Sequence, residues 1–570
     1  MKIKLYKQYF FILVFLCLFS NFSANSSNNN KFYSKENISN YFSGIISSRN
    51  NDIRESLEFF VKVKELSKVH FPFVKEYLLI LIQEQKIEKA TYFLTNISDE
   101  FNNFPESNII LGANYLANKK YNLAIKKLNL INEDLYSSRF DKLIADILIN
   151  YSKIFDEREI TEKEIFLDIS ENYENFIIIH EAFINCYLNK NVDESFLKLL
   201  NSPKVDYKRY IYFYVNYLFS KNKSNEANNI IEKYSDILDH NLLLGQTKYW
   251  MKKKKYSEIT KMFDCKNPKH LLSEFFYVVA NLYASENIYK KSNFYLNLSI
   301  YFNPKFQVHQ ALLAENYLQM DEYKKSKKIY ELFNKENTIF YWHSVKRISL
   351  IDSDLENEDK AISFFTKNFN SIKDPNIKII YDAANFYKNF GKYEESIDYY
   401  TKVLNILDDK HPSYADILYR RGASYERVKM WENSDRDLLE SLKIKSDNPH
   451  VLNYLAYSWL ERNYKINEAM NMLLLALSER PNDPYITDSV GWGYYLQGDY
   501  VNAEKFIRKA VELLPLDPII NDHYGDILWK LNKPLQANYF WNYVLNLKDT
   551  STEIKKKIEY KLIFGVQNLS

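Results

Sequence analysis

Apolar side chains recur along this 570-residue chain with the spacing of one helix face, and a second, longer period lies over the first. In a sequence with few glycines, small and aromatic residues return every 34 positions. The echo is clearest near the carboxyl end. Gly491, Tyr494, Ala503, Ala510 and Pro515 are followed one period later by Gly525, Leu528, Ala537 and Val544, with Asp549 where the proline stood. It recurs as Gly44, Leu78 and Gly112, as Ser56, Ala90 and Ala124, and in the pairs Ala280/Ala314 and Tyr283/Tyr317. Helical patterning that repeats at this length predicts stacked helix–turn–helix units.

The spacing has a mechanical reading. The first small residue of a unit and the second, twelve positions on, fall where two antiparallel helices cross. A bulky side chain there would push the axes beyond their usual ~8–10 Å. A tyrosine three residues after the first small site (Tyr387, Tyr425, Tyr494) lies about one turn along the same helix face. Another, six further on (Tyr393, Tyr500), opens the second helix. Pro304, Pro481 and Pro515 close units because proline cannot continue a helix.

This set of positions resembles the tetratricopeptide repeat. The resemblance implies an all-α fold, a right-handed α-solenoid of stacked antiparallel helix pairs, with about fourteen to sixteen hairpins in the mature chain. The expected divisions are a signal peptide (1–26), a polar linker (27–36), repeats over 37–138, degenerate helical repeats over 139–272, repeats over 273–376, well-formed repeats over 377–549, and a capping helix over 550–570. Each repeat of such a solenoid touches only its neighbours, so the length requires no single large core.

Composition adjusts the picture in two places. Aromatic residues are 16% of the chain, with 48 Tyr and 38 Phe, so rings take over packing that Leu and Ala usually supply. The 76 basic and 73 acidic residues leave a net charge of +3, which offers no nucleic-acid footprint. The run Lys252–Lys255 reads as a solvated turn or helix end.

The amino terminus has the layout of a secretory signal peptide. Lys2, Lys4 and Lys7 precede an apolar stretch from Tyr9 to Phe19, too short to span a bilayer comfortably. The small-x-small site Ala24-Asn25-Ser26 follows, with cleavage expected after Ser26. Cys17 follows Phe15-Leu16, which lacks the small residue that lipoprotein processing needs, so acylation is not expected. The protein is therefore expected to be exported: periplasmic, or membrane-tethered if the segment is retained. Cys186 and Cys265 lie far apart, with no framework or ligand spacing, and read as buried free thiols.

Motifs for chemistry are absent: no phosphate loop, HExxH, CxxC or nucleophile elbow occurs. No catalytic residue, cofactor or metal is expected. Gly491-Trp492-Gly493 reads as close helix packing. Asp522 and Asp526 share a helix face that His523 leaves by about 100°, which argues against a metal cluster.

Binding is then expected on the groove. In the tetratricopeptide family, ligands contact the second, fifth, ninth, twelfth and thirteenth residues of each first helix. The resemblance carries these onto Tyr485, Asp488, Trp492, Tyr495 and Leu496 in one repeat, and onto Ile519, Asp522, Asp526, Trp529 and Lys530 in the next. Of these, Tyr485, Asp488, Trp492, Tyr495, Asp522, Asp526, Trp529 and Lys530 are the candidate partner-binding residues. Their carboxylates favour a partner bearing Lys or Arg and do not fit the Lys/Asn/Arg clamp some family members use for acidic peptides. The stretch from Asn453 to Asn532 is similar to proteobacterial envelope proteins with many such repeats, some of them lipoprotein adaptors for a periplasmic protease. That resemblance implies an exported, non-catalytic scaffold for envelope proteins or peptides, engaged in proteolysis or outer-membrane assembly. An accessory of a polysaccharide or cell-wall machine is the alternative. An enzyme seated between Glu164 and His270 is a third reading, which a sheet or compact non-repeat domain there would favour. Membrane contact is expected only through a retained amino-terminal segment.

Overall fold

A computed structural model describes residues 32–566, except 51, 136, 157–173, 203–206 and 356. The proposed signal segment, Cys17 and the first half of the polar linker lie outside the described residues. The chain is all-α: helices joined by turns, with no strand among the described residues. It forms two compact units, Met1–Phe365 and Thr366–Ser570.

Hairpins in both units close by one device. The amide that opens the second helix reaches back to the carbonyl of the repeating aromatic: Ile288 to Tyr283 at 2.9 Å, Glu322 to Tyr317 and Lys392 to Tyr387 at 2.8 Å, and Asp499 to Tyr494 at 3.0 Å. This satisfies an orphan carbonyl of the first helix and needs a left-handed residue just before the donor. Gly391 (φ 68°) and Gly498 (φ 80°) fill that place without strain, and Asn287 and Asp321 fill it in the first unit. The small residues sit at the crossings. A Cβ on Gly491 would stand 2.5 Å from Ile507 Cγ1 and 3.1 Å from the Ile507 backbone nitrogen. A Cβ on Gly525 would run into the Trp541 indole.

The first unit departs from neighbour-only stacking. Its helix Tyr289–Phe302 packs against Phe71–Gln83, and Pro268–Ser285 packs against Pro105–Ala117. Phe140 meets Tyr283 edge-on at 5.4 Å, and the Ile339 amide donates to Gln246 Oε1 at 2.9 Å. The reason is the aromatic-rich composition. Phe294, Tyr295, Leu296, Leu298, Ile300 and Phe302 are all buried, so the helix needs cover on every side. One continuous apolar core results. A buried polar joint crosses it: Arg209 donates through Nε and Nη2 to Glu274 at 2.9 and 2.7 Å, with Tyr277 beneath the guanidinium at 3.8 Å.

The same folding-back corrects the reading of the cysteines. Cys186, near the end of the helix Glu174–Leu188, and Cys265, in the turn before Pro268, form a disulfide across 79 residues, with Cα atoms 5.9 Å apart. Sequence spacing could not reveal it, because the pairing depends on contact between helices that are not neighbours in the chain. The described residues between 174 and 272 are helices and turns, with no sheet.

Helices of the second unit are numbered in chain order: α1 (Ile377–Asn389), α2 (Tyr393–Ile406), α3 (Tyr414–Arg427), α4 (Trp431–Ile444), α5 (Pro449–Glu461), α6 (Ile466–Glu479), α7 (Pro484–Leu496), α8 (Tyr500–Leu513), α9 (Pro518–Lys530), α10 (Pro534–Asn546) and α11 (Thr552–Phe564). The first ten form consecutive hairpins, and α11 packs on the last. Asp483 and Asp517 cap α7 and α9 by accepting two backbone amides each, with Pro at the first helical position.

Candidate peptide groove of the second unit

First helices of successive hairpins stack side by side and leave a cavity of about 680 Å³ along one face. Its walls come from α1, α3, α5, α7 and the start of α9, with Tyr393 from the start of α2. Tyr419, Tyr454, Tyr457 and Tyr485 supply aromatic surface. Lys388, Arg420 and Arg427 stand toward α1 and α3, and Glu461, Asp488 and Asp517 toward α5, α7 and α9. Tyr454 donates to Glu426 Oε2 at 3.1 Å. Burial, reinforced by Glu461 and Asp488, holds the Tyr457 phenol well above its usual range.

Of the sequence-predicted residues, Tyr485 and Asp488 line this cavity, and Tyr485 is 56% exposed. Asp488 is buried and accepts from His523 Nδ1 at 2.9 and 3.0 Å. Trp492 stacks on His523 at 4.1 Å and on Tyr495 at 4.6 Å, and donates through Nε1 to Glu461 Oε1 at 3.0 Å. Burial opposes protonation of His523, but Asp488, Asp522 and Asp526 outweigh it and raise its pKa to about 9. At neutral pH the histidine is a buried imidazolium.

Asp522, Asp526 and Trp529 meet the carboxyl-terminal segment of the chain instead. Lys561 of α11 donates to Asp522 at 2.7 Å and to Asp526 at 2.8 Å, and Asp526 also accepts from Trp541 Nε1 at 3.2 Å. Burial, with Asp522 adding to it, pushes the Asp526 carboxyl up to about 6, against the pull of Lys561 and His523. Trp529 packs on Trp541 at 5.5 Å, and Gly565 lies against its ring so closely that a Cβ there would overlap it. Lys530, half-buried, ends α9. Asp522 and Asp526 do share a face, and His523 faces Asp488 instead. No group of three or more potential metal ligands gathers among the described residues. Gly491 and Gly493 are packing glycines, the second against Met470 Sδ.

The cavity therefore lies mainly upstream of the predicted residues. Lys388, Arg420, Arg427, Asn453, Tyr454, Tyr457 and Ser458 were missed. The signal was present: counted back through the earlier first helices, the same register positions fall on Asn453, Tyr457 and Glu461, on Tyr419, Glu426 and Arg427, and on Lys388 and Asn389.

A family model described as tetratricopeptide repeat matches residues 377–406. A TPR repeat-containing protein of Pseudomonas aeruginosa is 32% identical over 117 residues, covering 20% of this chain and 20% of that protein. An aspartyl/asparaginyl beta-hydroxylase of Homo sapiens is 28% identical over 181 residues, 28% of this chain and 22% of the hydroxylase. The chain thus spans about a fifth of the length of these curated relatives. Among solved structures, a thermophilic TPR protein of Thermus thermophilus (14% identity, TM-score 0.29) overlies 33% of this chain and 99% of its own. MamA from Desulfovibrio magneticus (15% identity, TM-score 0.27) overlies 31% and 97%. The long echo, the closely crossed helix pairs and the matching family model agree that this chain carries tetratricopeptide repeats.

Proposed function

We propose that the protein is an exported, non-catalytic scaffold of the bacterial cell envelope that gathers partner proteins on the concave cavity of its second unit. Tetratricopeptide repeats are protein-interaction modules, and that coarser role belongs to the family. The observation that carries the reading is the cavity itself: an aromatic-lined trough with charged groups of both signs. Large rigid rings and arginines are the usual anchors of a protein interface. Export is supported by the signal-like amino terminus and by the Cys186–Cys265 disulfide, since such bonds persist in oxidising compartments and are rare in reducing ones. Within that setting, the partners would include a processing protease and its substrates, or components of outer-membrane assembly.

The test is photo-crosslinking in cells that carry the gene. A probe replaces Tyr485 in the cavity, and a control probe replaces Val501, 74% exposed on α8. Discrete envelope proteins captured only at Tyr485 are expected. Equal capture at both positions, or capture of cytoplasmic proteins alone, would overturn the proposal. Recovery of wall polymers or their synthases would favour the cell-wall alternative.

A further inference from the structure

The first unit gathers lysines at one place, where the hairpin turns 189–191, 221–223 and 252–255 meet. Tyr256, which opens the helix after the third turn, stacks at 4.9 Å on Phe219, which precedes the second. Lys223 of the second turn lies 3.8 Å from Asp193, just past the first. The Cys186–Cys265 bond brings in Lys266, whose ammonium donates to the Tyr187 carbonyl. Burial, and then Lys221, depresses that ammonium, so two cations face each other across the join. Lys190, Lys221, Lys252, Lys254 and Lys255 are exposed, and among the described residues no carboxylate pairs with them. The acids nearby are engaged elsewhere: Glu226 with Lys223 and Glu258 with Lys261, each at 3.0 Å. Asp193 also accepts from the Tyr214 hydroxyl at 2.9 Å, and Asp264 from the Lys266 amide at 2.8 Å. Glu194 is left against the open lysines.

Local structure does not account for this charge. A cation suits the end of a helix, as at Lys221 and Lys252. Lys223 and Lys255 instead stand at the N-caps of helices Ser224–Tyr234 and Tyr256–Met262, where the helix dipole disfavours a cation. Lys254 takes the left-handed place (φ 56°) that Asn189 and Asn222 fill in the neighbouring turns. A second feature accompanies the lysines. Lys221 lies over the Tyr217 ring at 5.6 Å, Lys253 over Tyr249 at 5.9 Å, and Lys266 over Tyr187 at 5.6 Å. Tyr256 beside them is 38% exposed.

We infer that this lysine–tyrosine edge of the first unit docks on an anionic lipid surface. The charges are ammonium groups on flexible stems, not planar forks that read a fixed carboxylate or phosphate. Arg209, the single arginine between Cys186 and Lys266, is taken up by Glu274. A fluid layer of headgroups rearranges to meet such dispersed cations, and clustered lysines draw a protein to it. Tyrosine rings sit at headgroup level, with an apolar body and a polar tip. The contact is peripheral and does not require the amino-terminal segment.

The test floats the full-length chain with vesicles of phosphatidylcholine alone, and of equal parts phosphatidylcholine and phosphatidylglycerol. Binding to the anionic vesicles should be at least tenfold tighter than to the neutral ones. It should weaken as salt is raised, because screening shortens the reach of the lysines. K221E/K252E/K255E should lose at least tenfold, and K221R/K252R/K255R should bind as the parent does. K402E/K443E/K548E makes the same change in net charge at exposed lysines of the second unit and should also bind as the parent does. Circular dichroism and urea unfolding check that each variant is folded, and the lipid and salt comparisons need no variant. Equal binding to neutral vesicles, as insertion of the apolar amino-terminal stretch would give, would overturn the inference. So would an unchanged K221E/K252E/K255E, or an equal loss in the second-unit variant. Oligothymidylate or polyglutamate bound more tightly than the anionic vesicles at the same salt would assign the edge to a nucleic acid or an acidic protein instead. None of these outcomes bears on the concave cavity, whose reading falls only on the crosslinking result.

Discussion

Removing the Cys186–Cys265 bridge should weaken the first unit selectively. The bond closes a loop of 79 residues, for which the chain-entropy relation gives about 4.5 kcal/mol at 25 °C. Realised values are commonly smaller, because the reduced chain keeps residual structure, so about 2–4 kcal/mol is the expected loss. The helices it joins, Glu174–Leu188 and Pro268–Ser285, also touch directly, so the reduced protein should keep its fold with those helices loosened. Protein purified under oxidising conditions is compared with its dithiothreitol-reduced form and with C186S/C265S by hydrogen exchange and urea unfolding. Exchange should quicken in these helices and their neighbours in both reduced and mutated protein, while α7 and α9 stay unchanged. The double variant should be insensitive to dithiothreitol. Two freely alkylated thiols in the oxidised native protein, or identical stability with and without reductant, would refute the reasoning.

Other consequences follow from the second unit. His523 titrates near 9 when folded and near its ordinary 6.5 when unfolded, so its stabilising contribution is full below about pH 6.5 and is lost as pH rises through 9. The loss is on the order of 3 kcal/mol, and D488N should flatten that window in urea titrations at a series of pH values. G491A should destabilise by about 1–3 kcal/mol, because its Cβ meets the Ile507 backbone as well as its side chain. G493A should be near neutral, because it meets the movable end of Met470 and gains helix propensity, as thermal melts of the pair would reveal. K561M leaves Asp522 and Asp526 without their ammonium and should cost about 3 kcal/mol, seen as faster hydrogen exchange in α11.

Much of the second unit was legible because its determinants are local. The Gly491 crossing, the tyrosines whose carbonyls close three of the hairpins and the Asp-Pro caps each act within one repeat, so their periodic recurrence announces them. The first unit hides its organisation for the opposite reason. Arg209 with Glu274, Gln246 with Ile339 and Cys186 with Cys265 are partners across long separations, and no periodicity links them. The groove shows both cases. Tyr485 and Asp488 were found by register, and the same register extended backward reaches Tyr457 and Arg427. The engagement of Asp522, Asp526 and Trp529 by the carboxyl-terminal helix was not legible, because Lys561 and Gly565 lie outside the repeat pattern.

The central claim is that partners are held along the first helices of the second unit. Hydrogen–deuterium exchange of the full-length chain, alone and saturated with a protein captured at Tyr485, tests it most directly. The account predicts added protection in α3, α5 and α7, with α4, α6 and α8 unchanged. Protection confined to those second helices or to the first unit would contradict it.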